Sequence, residues 1–390
     1  MTVEENGAPA VSTEAAANAS AVVLRGADLD ALSDNPDDLA ADLQALAGPA
    51  AGPNGGAIFI DGFSGGQLPP NESIREIRIN QNPFSPEYDK LRFGRIEIFT
   101  KPGTNKFHGS AGYNFANDFW NSRNAYEAEK APFHLNEFRG GISGPISSRA
   151  SFTLDMVREM NDNGNVINAV TLDPQTLVAA PYTGSFLSYL RRTMITPRVD
   201  YQLSANHTLS VRYSFNRDDV QNAGVGGFNL VPLGYHNDAR GQTVQVTETA
   251  ALGSNKINEM RFQYFRPTTT SQANTPGYAL QVLAAFNDGG NPIGHSTDAQ
   301  NNYEFQNYTS VLRGAHAFRF GIRLRKRQRP IRHRRTTTAH LRSAEISPLN
   351  LTPTISPSSI HRDSLSSSIS LRLKATGERC YFSNWVIPRC

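Results

Sequence analysis

Residues 208–216 read TLSVRYSFN, and this stretch decides the fold class. Hydrophobic and polar residues alternate along it without a break, which is the period-two pattern of a β-strand with two different faces. One face carries Leu209, Val211, Tyr213 and Phe215. The same alternation recurs in residues 151–156, 198–203, 259–264 and 318–324. The sequence therefore predicts a mainly β protein built from repeated two-faced strands.

The connections between these strands differ in length. Residues 204–207 make a short polar link, which predicts a tight turn between antiparallel neighbours, whereas residues 216–241 and 268–302 are long and polar. Short turns alternating with long loops, around strands of about ten residues with apolar residues toward lipid, are typical of an outer-membrane β-barrel. A soluble β-sandwich also alternates. Periodicity alone leaves both architectures open.

Residues 23–106 have a mixed pattern instead. Residues 36–46 follow N-cap candidates, begin with Pro36 and are stopped by Gly48, so they predict a helix. Short strands are predicted at 57–60, 74–79 and 95–100, the first closed by an Asp-Gly turn. We expect a small α+β domain here, preceded by a linker or frayed end at residues 1–22.

Composition excludes several classes of protein. Both cysteines, Cys380 and Cys390, lie at the C-terminal end, so a disulfide framework or a thiolate metal site upstream is excluded. No apolar run approaches the roughly 20 residues of a membrane-spanning helix. Glu76 and Glu97 could be offered as an acid/base pair, but no nucleophile motif accompanies them, and on alternating strands we expect them to face solvent beside arginines. We therefore predict no enzyme and no cofactor.

Charge is distributed unevenly along the chain. The net charge is +3, yet residues 321–390 hold 14 basic and 3 acidic residues. Residues 325–335 form a basic run, which invites a nucleic-acid interpretation, but residues 322–379 contain no Phe, Tyr or Trp for stacking. A disordered native tail is a second interpretation. We favour a third, in which residues 325–390 are non-native, as after a shifted reading frame, and we expect no nucleic-acid partner.

Five segments in order resemble the plug domain of TonB-dependent outer-membrane receptors. Residues 43–48 (LQALAG) resemble its first helix and glycine stop, and residues 58–63 (IFIDGF) its strand ending in Asp-Gly. Residues 73–80 (SIREIRIN) and 82–88 (NPFSPEY) are similar to the approach to its central turn and to the turn itself. Residues 95–109 (RIEIFTKPGTNKFHG) resemble the last plug strand and the entry into the barrel. Residues 107–324 resemble the start of the barrel in the Oar-like, carboxypeptidase-regulatory-like branch.

The resemblance implies a gated, plugged barrel in the outer membrane. It implies contact with outer-membrane lipid, a TonB-type energising protein in the periplasm, and a transported substrate that the sequence leaves open between siderophore, carbohydrate and peptide. The plug positions that we expect to serve structure or gating are Asp61, Gly62, Glu76, Arg78, Glu97, Lys101 and Gly103. The alternative from another class is a soluble binding or adhesion protein with plug-like and sandwich domains.

Residues 107–324 are too few for a complete barrel of this type. At about 20 to 25 residues per strand and connection they give roughly nine or ten strands, against about 22 in plugged transporters. We recognise no signal peptide, TonB box or preceding regulatory-like domain, and the last residue is Cys390 rather than an aromatic residue. We therefore expect an incomplete antiparallel transmembrane barrel, and a chain that is a fragment of a longer receptor.

Overall fold

The computed structural model describes residues 21–52, 55–80, 93–123, 130–173, 175–176 and 178–329, and the backbone of 341–343 and 379–382. Two sheets dominate these residues, and a third sheet of three strands is smaller. We call the N-terminal unit, residues 22–103, the plug, and the large sheet the wall. The predicted fold class is confirmed: the protein is mainly β with antiparallel pairing in the wall, and the described strands leave the barrel open.

The plug combines a five-stranded sheet with one packed helix. Its elements in chain order are β1 (Val22–Arg25), α1 (Ala27–Asp30), α2 (Pro36–Ala47), β2 (Ala57–Ile60), β3 (Phe63–Ser64), β4 (Ile74–Ile79) and β5 (Arg95–Thr100). The strand order is β1-β4-β5-β2-β3, and only β2 and β5 pair in parallel. The predicted bounds of β2, β4 and β5 agree with the structure. The resembling turn at residues 82–88 lies outside the described residues.

Local sequence signals and core packing agree in the plug. The Asn35 side chain accepts a hydrogen bond from the Asp37 N–H and so caps α2. Leu39, Leu43 and Ala47 follow one another at intervals of four and are buried against the sheet, where the isoleucines of β4 and β5 complete an apolar core. Asp61 and Gly62 both have positive φ, as a two-residue turn of this hairpin type requires.

The wall is a run of long antiparallel strands. Its members are β6 (His108–Asn117), β7 (Phe133–Ser147), β8 (Ala150–Leu172), β9 (Ala179–Ser204), β10 (His207–Ala223), β11 (Tyr235–Ala251), β12 (Lys256–Ala273), β15 (His295–Ala299), β16 (Asn301–Arg313), β17 (His316–Gln328) and β19 (Arg379–Phe382). Chain neighbours pair from β6 to β12, followed by β16, β17 and β19, while β15 pairs with the far end of β12. The smaller sheet contains β13 (Ala279–Val282), β14 (Phe286–Gly289) and β18 (Leu341–Ser343).

Several wall strands are longer than the expected ten residues. The tight turn between β9 and β10 is confirmed, but most of the polar stretch 216–241 is strand rather than loop. Arg217 pairs with Asp238 on the neighbouring strand at 3.0 Å, so these polar residues extend the sheet instead of ending it. The boundary placed after Leu324 lies inside β17, which continues to Gln328 because Arg325 pairs in register with Glu304. The rest of the basic tail falls mainly outside the described residues.

The outward face of the wall carries a continuous apolar row. Val211 lies opposite Val199 on one side and Val246 on the other, and the row continues through Phe262 and Phe305 to Leu324. Val211 and Phe262 are about two-fifths exposed (39% and 41%), although they are large hydrophobic residues in the middle of strands. Such a row suits contact with hydrocarbon rather than with water.

No helix among the described residues has the length and apolarity that crossing a membrane requires.

We expect Val211→Arg to reduce the stability of the membrane-inserted wall by about 2 to 4 kcal/mol, because it places a charge on the lipid face. Ser210→Arg should cost much less, since Ser210 faces the inner side and lines a polar cavity there. The measurement is equilibrium unfolding in urea from lipid bilayers. Equal costs at the two positions would contradict lipid contact of the outward face.

Candidate functional site

The plug lies against the inward face of the wall, and the contact between them is the candidate functional site. Strand alternation builds it, because the residues that alternate with the outward apolar row point at the plug. Many buried polar side chains of the wall lie on this face, including Glu159, Arg192, Arg212, Gln263, Glu304 and Gln306. The wall therefore offers the plug a surface of charges and amides.

Arg192 on β9 joins the plug to two wall strands. Its guanidinium contacts Asp37 of α2 at 2.7 Å, Asp218 of β10 at 2.9 Å and Glu159 of β8 at 3.4 Å. Only 5% of the Arg192 side chain is exposed, whereas the Asp37 side chain is 79% exposed. The two wall carboxylates hold the guanidinium in place, and the N-terminus of α2 docks on it with a charge that also suits the helix dipole.

Arg139 on β7 makes a second contact with the same edge of the plug. Its Nη1 atom lies 2.7 Å from Asp34 and 3.1 Å from Glu72, and its Nε atom lies 3.1 Å from the neighbouring wall residue Glu137. Asp34 precedes α2 and Glu72 precedes β4. One wall arginine thus bridges two separate segments of the plug.

The Asp61-Gly62 turn is bonded both within the plug and to the wall. Asp61 accepts hydrogen bonds from the Thr100 N–H at 2.9 Å and from the Thr100 hydroxyl at 2.7 Å, and it pairs with Arg212 of β10 at 3.1 Å. The Gln306 amide donates to the Gly62 carbonyl at 3.1 Å. A Cβ atom at position 62 would lie 2.5 Å from Nη1 of Arg261, which the long arginine side chain can relieve by moving. The positive φ of Gly62 is therefore the main reason that the turn favours glycine.

Residues near the Asp61-Gly62 turn extend the contact along the wall, toward β16 and β17 on one side and toward β9 on the other. Ser64 donates to Glu304 through its hydroxyl at 2.5 Å, and Arg323 of β17 holds the same carboxylate at 2.7 Å. At the end of β5, Arg198 donates to the Thr100 hydroxyl at 2.9 Å, and the Gly103 N–H donates to Asp200 at 2.9 Å. The end of the plug sheet at which β2 and β5 finish is therefore tied to the wall at several points.

Polar cavities adjoin these bonds. One of about 380 Å³ lies beside Asp61 and Arg212 and is lined also by Asp200 and Glu259. Another of about 460 Å³ lies between Ser64 of the plug and the wall strands that carry Gln263 and Glu304. The contact is polar and has space for water, in contrast to the tightly packed apolar core within the plug.

The seven plug residues singled out from the sequence separate into two groups. Asp61, Gly62 and Gly103 contact the wall directly. Lys101 donates from its Nζ atom to the Glu72 carbonyl at 2.6 Å, within the plug. The other three residues, Glu76, Arg78 and Glu97, have ion pairs within the plug: Glu76 with Arg78, and Glu97 with Arg95. Their assignment to gating stays a prediction.

Glu76 and Glu97 do not face solvent as expected, since they are 5% and 8% exposed. Glu76 sits between Arg25 of β1, at 2.5 Å, and Arg78. Burial raises the pKa of Glu76, but hydrogen bonds and charge from Arg78 and Arg25 outweigh it, so the pKa lies below its ordinary value. Glu97 pairs with Arg95 at 3.3 Å. The expectation of solvent exposure was wrong because arginines of the same sheet pack over these carboxylates, Arg25 and Arg78 over Glu76 and Arg95 beside Glu97.

The sequence prediction missed the plug residues Asp34, Asp37, Ser64, Glu72 and Thr100 and every wall residue that meets them. The wall residues were readable in principle. Arg198, Arg212 and Arg323 each occupy the polar phase of a strand whose apolar phase predicted the barrel. Asp37 carried no separate signal, since an aspartate in the first turn of a helix is explained by the helix alone.

Among the described residues, no group of three or more His, Cys, Asp or Glu side chains could hold a metal ion.

Comparison with known proteins places the fold. Residues 158–343 match the family model described as an outer membrane beta barrel domain. This match supports the outer-membrane location that the resemblance implied. No curated protein sequence matches the chain significantly.

Solved outer-membrane receptors share the arrangement at low sequence identity. The outer membrane transporter YddB from Escherichia coli aligns with a TM-score of 0.58 and 11% identity over 79% of this chain and 48% of its own. The siderophore receptor PirA from Acinetobacter baumannii aligns at 0.54 and 14% over 79% and 48%. A mutant of the ferric enterobactin receptor PfeA from Pseudomonas aeruginosa aligns at 0.56 and 14% over 79% and 49%. The chain spans about half the length of each.

We expect Arg192→Ala to weaken retention of the plug by about 3 to 5 kcal/mol, because it leaves the buried Glu159 carboxylate without its cation. Asp37→Ala should cost only about 1 kcal/mol or less, since the Asp37 side chain is mostly exposed. The measurement is the urea concentration at which the plug becomes sensitive to protease. Asp38→Ala is the matched control, because it removes the same charge from the first turn of α2. A loss at Arg192 no larger than that of Asp38→Ala would contradict the anchoring role.

Proposed function

We propose that this chain is the plug and the first part of the wall of a TonB-dependent outer-membrane receptor, which moves a substrate across the outer membrane through a gate. The observation that carries the proposal is the chemistry of the plug–wall contact. In the ion pairs that join the wall to the plug, at Arg139, Arg192 and Arg212, the wall supplies the arginine and the plug supplies the carboxylate. A plug held by polar bonds can leave and return, because water replaces such bonds at small net cost.

A dry interface would behave differently. Separating two apolar surfaces costs about 25 cal/mol for every Å² exposed to water, and nothing in the released state compensates that loss. The cavities beside Asp61 and Ser64 already allow water at the contact. The plug keeps its apolar core to itself, so it can be released as a folded body or lose one element at a time.

The first element of the plug is suited to an energised release from the periplasmic side. β1 is a four-residue edge strand that pairs only with β4, and its Arg25 holds the buried Glu76. In the proposed receptor a TonB-type protein pulls on the N-terminal region. Tension there acts first on β1, and removing Arg25 leaves Glu76 with less positive charge beside it.

We propose binding and transport rather than catalysis, and a membrane protein rather than a soluble sandwich. A sandwich buries one face of each sheet against the other sheet. Here the inward face meets a small α+β unit through polar bonds, while the outward face exposes rows of large apolar residues. The proposed partners are therefore outer-membrane lipid, the periplasmic energising protein and a substrate on the outer side.

The proposal includes incompleteness of the wall and assignment to the Oar-like branch. β6 has one described neighbour, β7, and thus presents an unpaired edge. Backbone groups left unpaired in hydrocarbon cost several kcal/mol each, so a functional wall needs further strands. The half-length alignment with solved receptors supports the same view. The branch rests on the resemblance of residues 107–324.

The gate is tested by conductance in planar lipid bilayers with the receptor that completes this wall. We expect almost no conductance with the plug in place, reversible conductance in moderate urea, and constant conductance when residues 22–103 are deleted. Arg192→Ala should lower the urea concentration needed, and Arg149→Ala, at an exposed turn of the wall, should not. A steady open pore with the plug present would rule out the gated transporter.

The incompleteness of the wall is tested on the chain itself. Closed outer-membrane barrels have no free edges and resist SDS until heated. After folding in mild detergent, this chain should run as an unfolded protein in SDS gels even without heating, because the edge at β6 is open. A faster, heat-sensitive band would show that the chain closes a barrel alone.

A further inference from the structure

A cleft on the long-loop side of the wall has the composition of a binding site. It has a volume of about 350 Å³ and lies between the end of the β6–β7 connection and the extended part of β8. Asn121, Ser122, Lys130, Phe133, Asn163 and Asn165 are among its lining residues. This volume is within the range of small-molecule sites, and the lining combines amides, a hydroxyl, one lysine ammonium group and one aromatic ring.

Amides are versatile partners for hydroxyl groups. Each asparagine side chain has two donor hydrogens and an acceptor oxygen, so it can serve both ends of a hydroxyl or a pair of neighbouring hydroxyls. Asn163 and Asn165 follow the same face of β8, and the Asn163 amide donates to the Asn165 oxygen at 3.1 Å, which orients both groups. The Phe133 ring adds an apolar surface for the C–H face of a ring-shaped ligand.

The charges around the cleft are few and mixed in sign. Residues 161–190, 219–237 and 268–300 contain five aspartates and no lysine or arginine, while Lys130 lines the cleft and Arg123 lies in the same connection. A polyanion would find a single lysine in the cleft, which is weak compensation for several negative charges. The PfeA neighbour is named as a ferric enterobactin receptor, and an outer surface of this kind does not favour a highly charged anion.

A cationic ligand is disfavoured for a different reason, since several of these aspartates are already occupied. Asp162 pairs with Arg191 at 2.5 Å, and Asp219 lies 2.8 Å from Arg217 and 3.0 Å from His236. Asp173 accepts hydrogen bonds from the N–H groups of Gln175 and Thr176 in its own turn. These three aspartates therefore offer a cationic ligand little free charge at this end of the wall.

The cleft is also held in shape before any ligand arrives. The Gly164 N–H donates to the Pro132 carbonyl at 2.7 Å, and a Cβ atom at position 164 would lie 2.8 Å from that oxygen. Further along β8, Ile167 belongs to a buried apolar cluster with Val225 and Phe286, which fixes two other outer connections against the strand. Preorganisation of this kind reduces the entropy lost when a ligand binds.

We infer that this cleft binds an uncharged, hydroxyl-rich ligand, a neutral saccharide, and that it is the outer recognition site of the protein. The inference rests on the proposed function, which places the long connections outside the cell. It names a substrate class for that function. The hydrogen bonds come from Asn121, Asn163 and Asn165, and Phe133 supplies the stacking face.

The chain contains a built-in reporter for the test. Trp120 precedes Asn121, is 68% exposed and packs edge-on against Phe115, and the other tryptophan, Trp385, can be changed to phenylalanine. The full Trp385→Phe chain, folded in mild detergent, is titrated with neutral hexasaccharides of glucose, xylose and N-acetylglucosamine. A ferric tris-catecholate complex and tetralysine are titrated in parallel. We expect at least one of the hexasaccharides to cause a saturable change in Trp120 fluorescence. The ferric complex and tetralysine should cause none.

Two variants define the site. Asn163→Ala with Asn165→Ala should weaken saccharide binding about tenfold or more, as the loss of one or two hydrogen bonds implies. Gly164→Ala should weaken it as well, because the added Cβ displaces Pro132 while the amides remain. Asn206→Ala, at the short turn between β9 and β10, is the matched control and should bind as the parent does.

The inference is wrong if no hexasaccharide binds, if the ferric complex or tetralysine binds instead, or if the Asn163/Asn165 pair can be replaced without effect while protease resistance shows the chain folded. These results leave the gate untouched, since conductance through the plugged barrel needs no ligand. A barrel that conducts with its plug in place would in turn leave saccharide binding to the purified chain intact.

Discussion

The buried guanidinium of Arg192 is the interaction on which the arrangement of the two sheets depends. A charged group that is 5% exposed needs compensation, and it finds this in Glu159 and Asp218 from the strands on either side. With those two in place, the remaining Nη2 group points inward and donates to one more carboxylate, that of Asp37 at the N-terminus of α2. Arg139, Arg198 and Arg212 make further contacts with the plug from neighbouring strands.

The two faces of each wall strand have different surroundings, with apolar residues on the outward face and polar residues that meet the plug on the inward face. In β10, Val211 and Tyr213 face outward with 39% and 37% exposure, while Arg212 between them is 6% exposed and reaches the plug. A shift of one residue in pairing would turn Arg212 toward lipid and Val211 toward the polar contact. An arginine that faces hydrocarbon costs about 2 to 4 kcal/mol near the bilayer midplane, so the register of the wall is strongly specified.

Sequence patterns predicted the elements better than their extents. The limits of β2, β4 and β5 were found because apolar alternation and turn residues coincide there. The limits of β8 to β11 were missed because these strands continue past the apolar band, where Arg217 and Asp219 occupy the outward face and hold the sheet by ion pairs. Hydrophobic periodicity marks the part of a strand that faces lipid. Where a strand continues beyond the apolar band, both of its faces are polar and the alternation that predicts a strand disappears.

Only part of the plug–wall contact could be anticipated from the sequence. Asp61 and Gly62 were singled out as plug positions through the resemblance, and in the structure their turn reaches the wall, while a role in gating stays a prediction. Asp34, Asp37 and Glu72 were missed because their partners lie on strands distant in sequence, and a carboxylate at a helix start or in a loop has an adequate local explanation. An ion pair between the two sheets can be predicted only if the position of the plug relative to the inward-facing residues of the wall strands is known.

The chemistry changes between the plug–wall contact and the outer cleft, and in the proposed receptor this change keeps recognition separate from gating. The contact depends on arginines that bind carboxylates. An anionic substrate would compete for those arginines as it passed, and it would loosen the plug in the absence of an energised partner. A neutral ligand held by Asn163 and Asn165 has no such effect. Amides in the cleft and ion pairs at the plug therefore allow the substrate to be bound outside while the gate stays closed until force is applied.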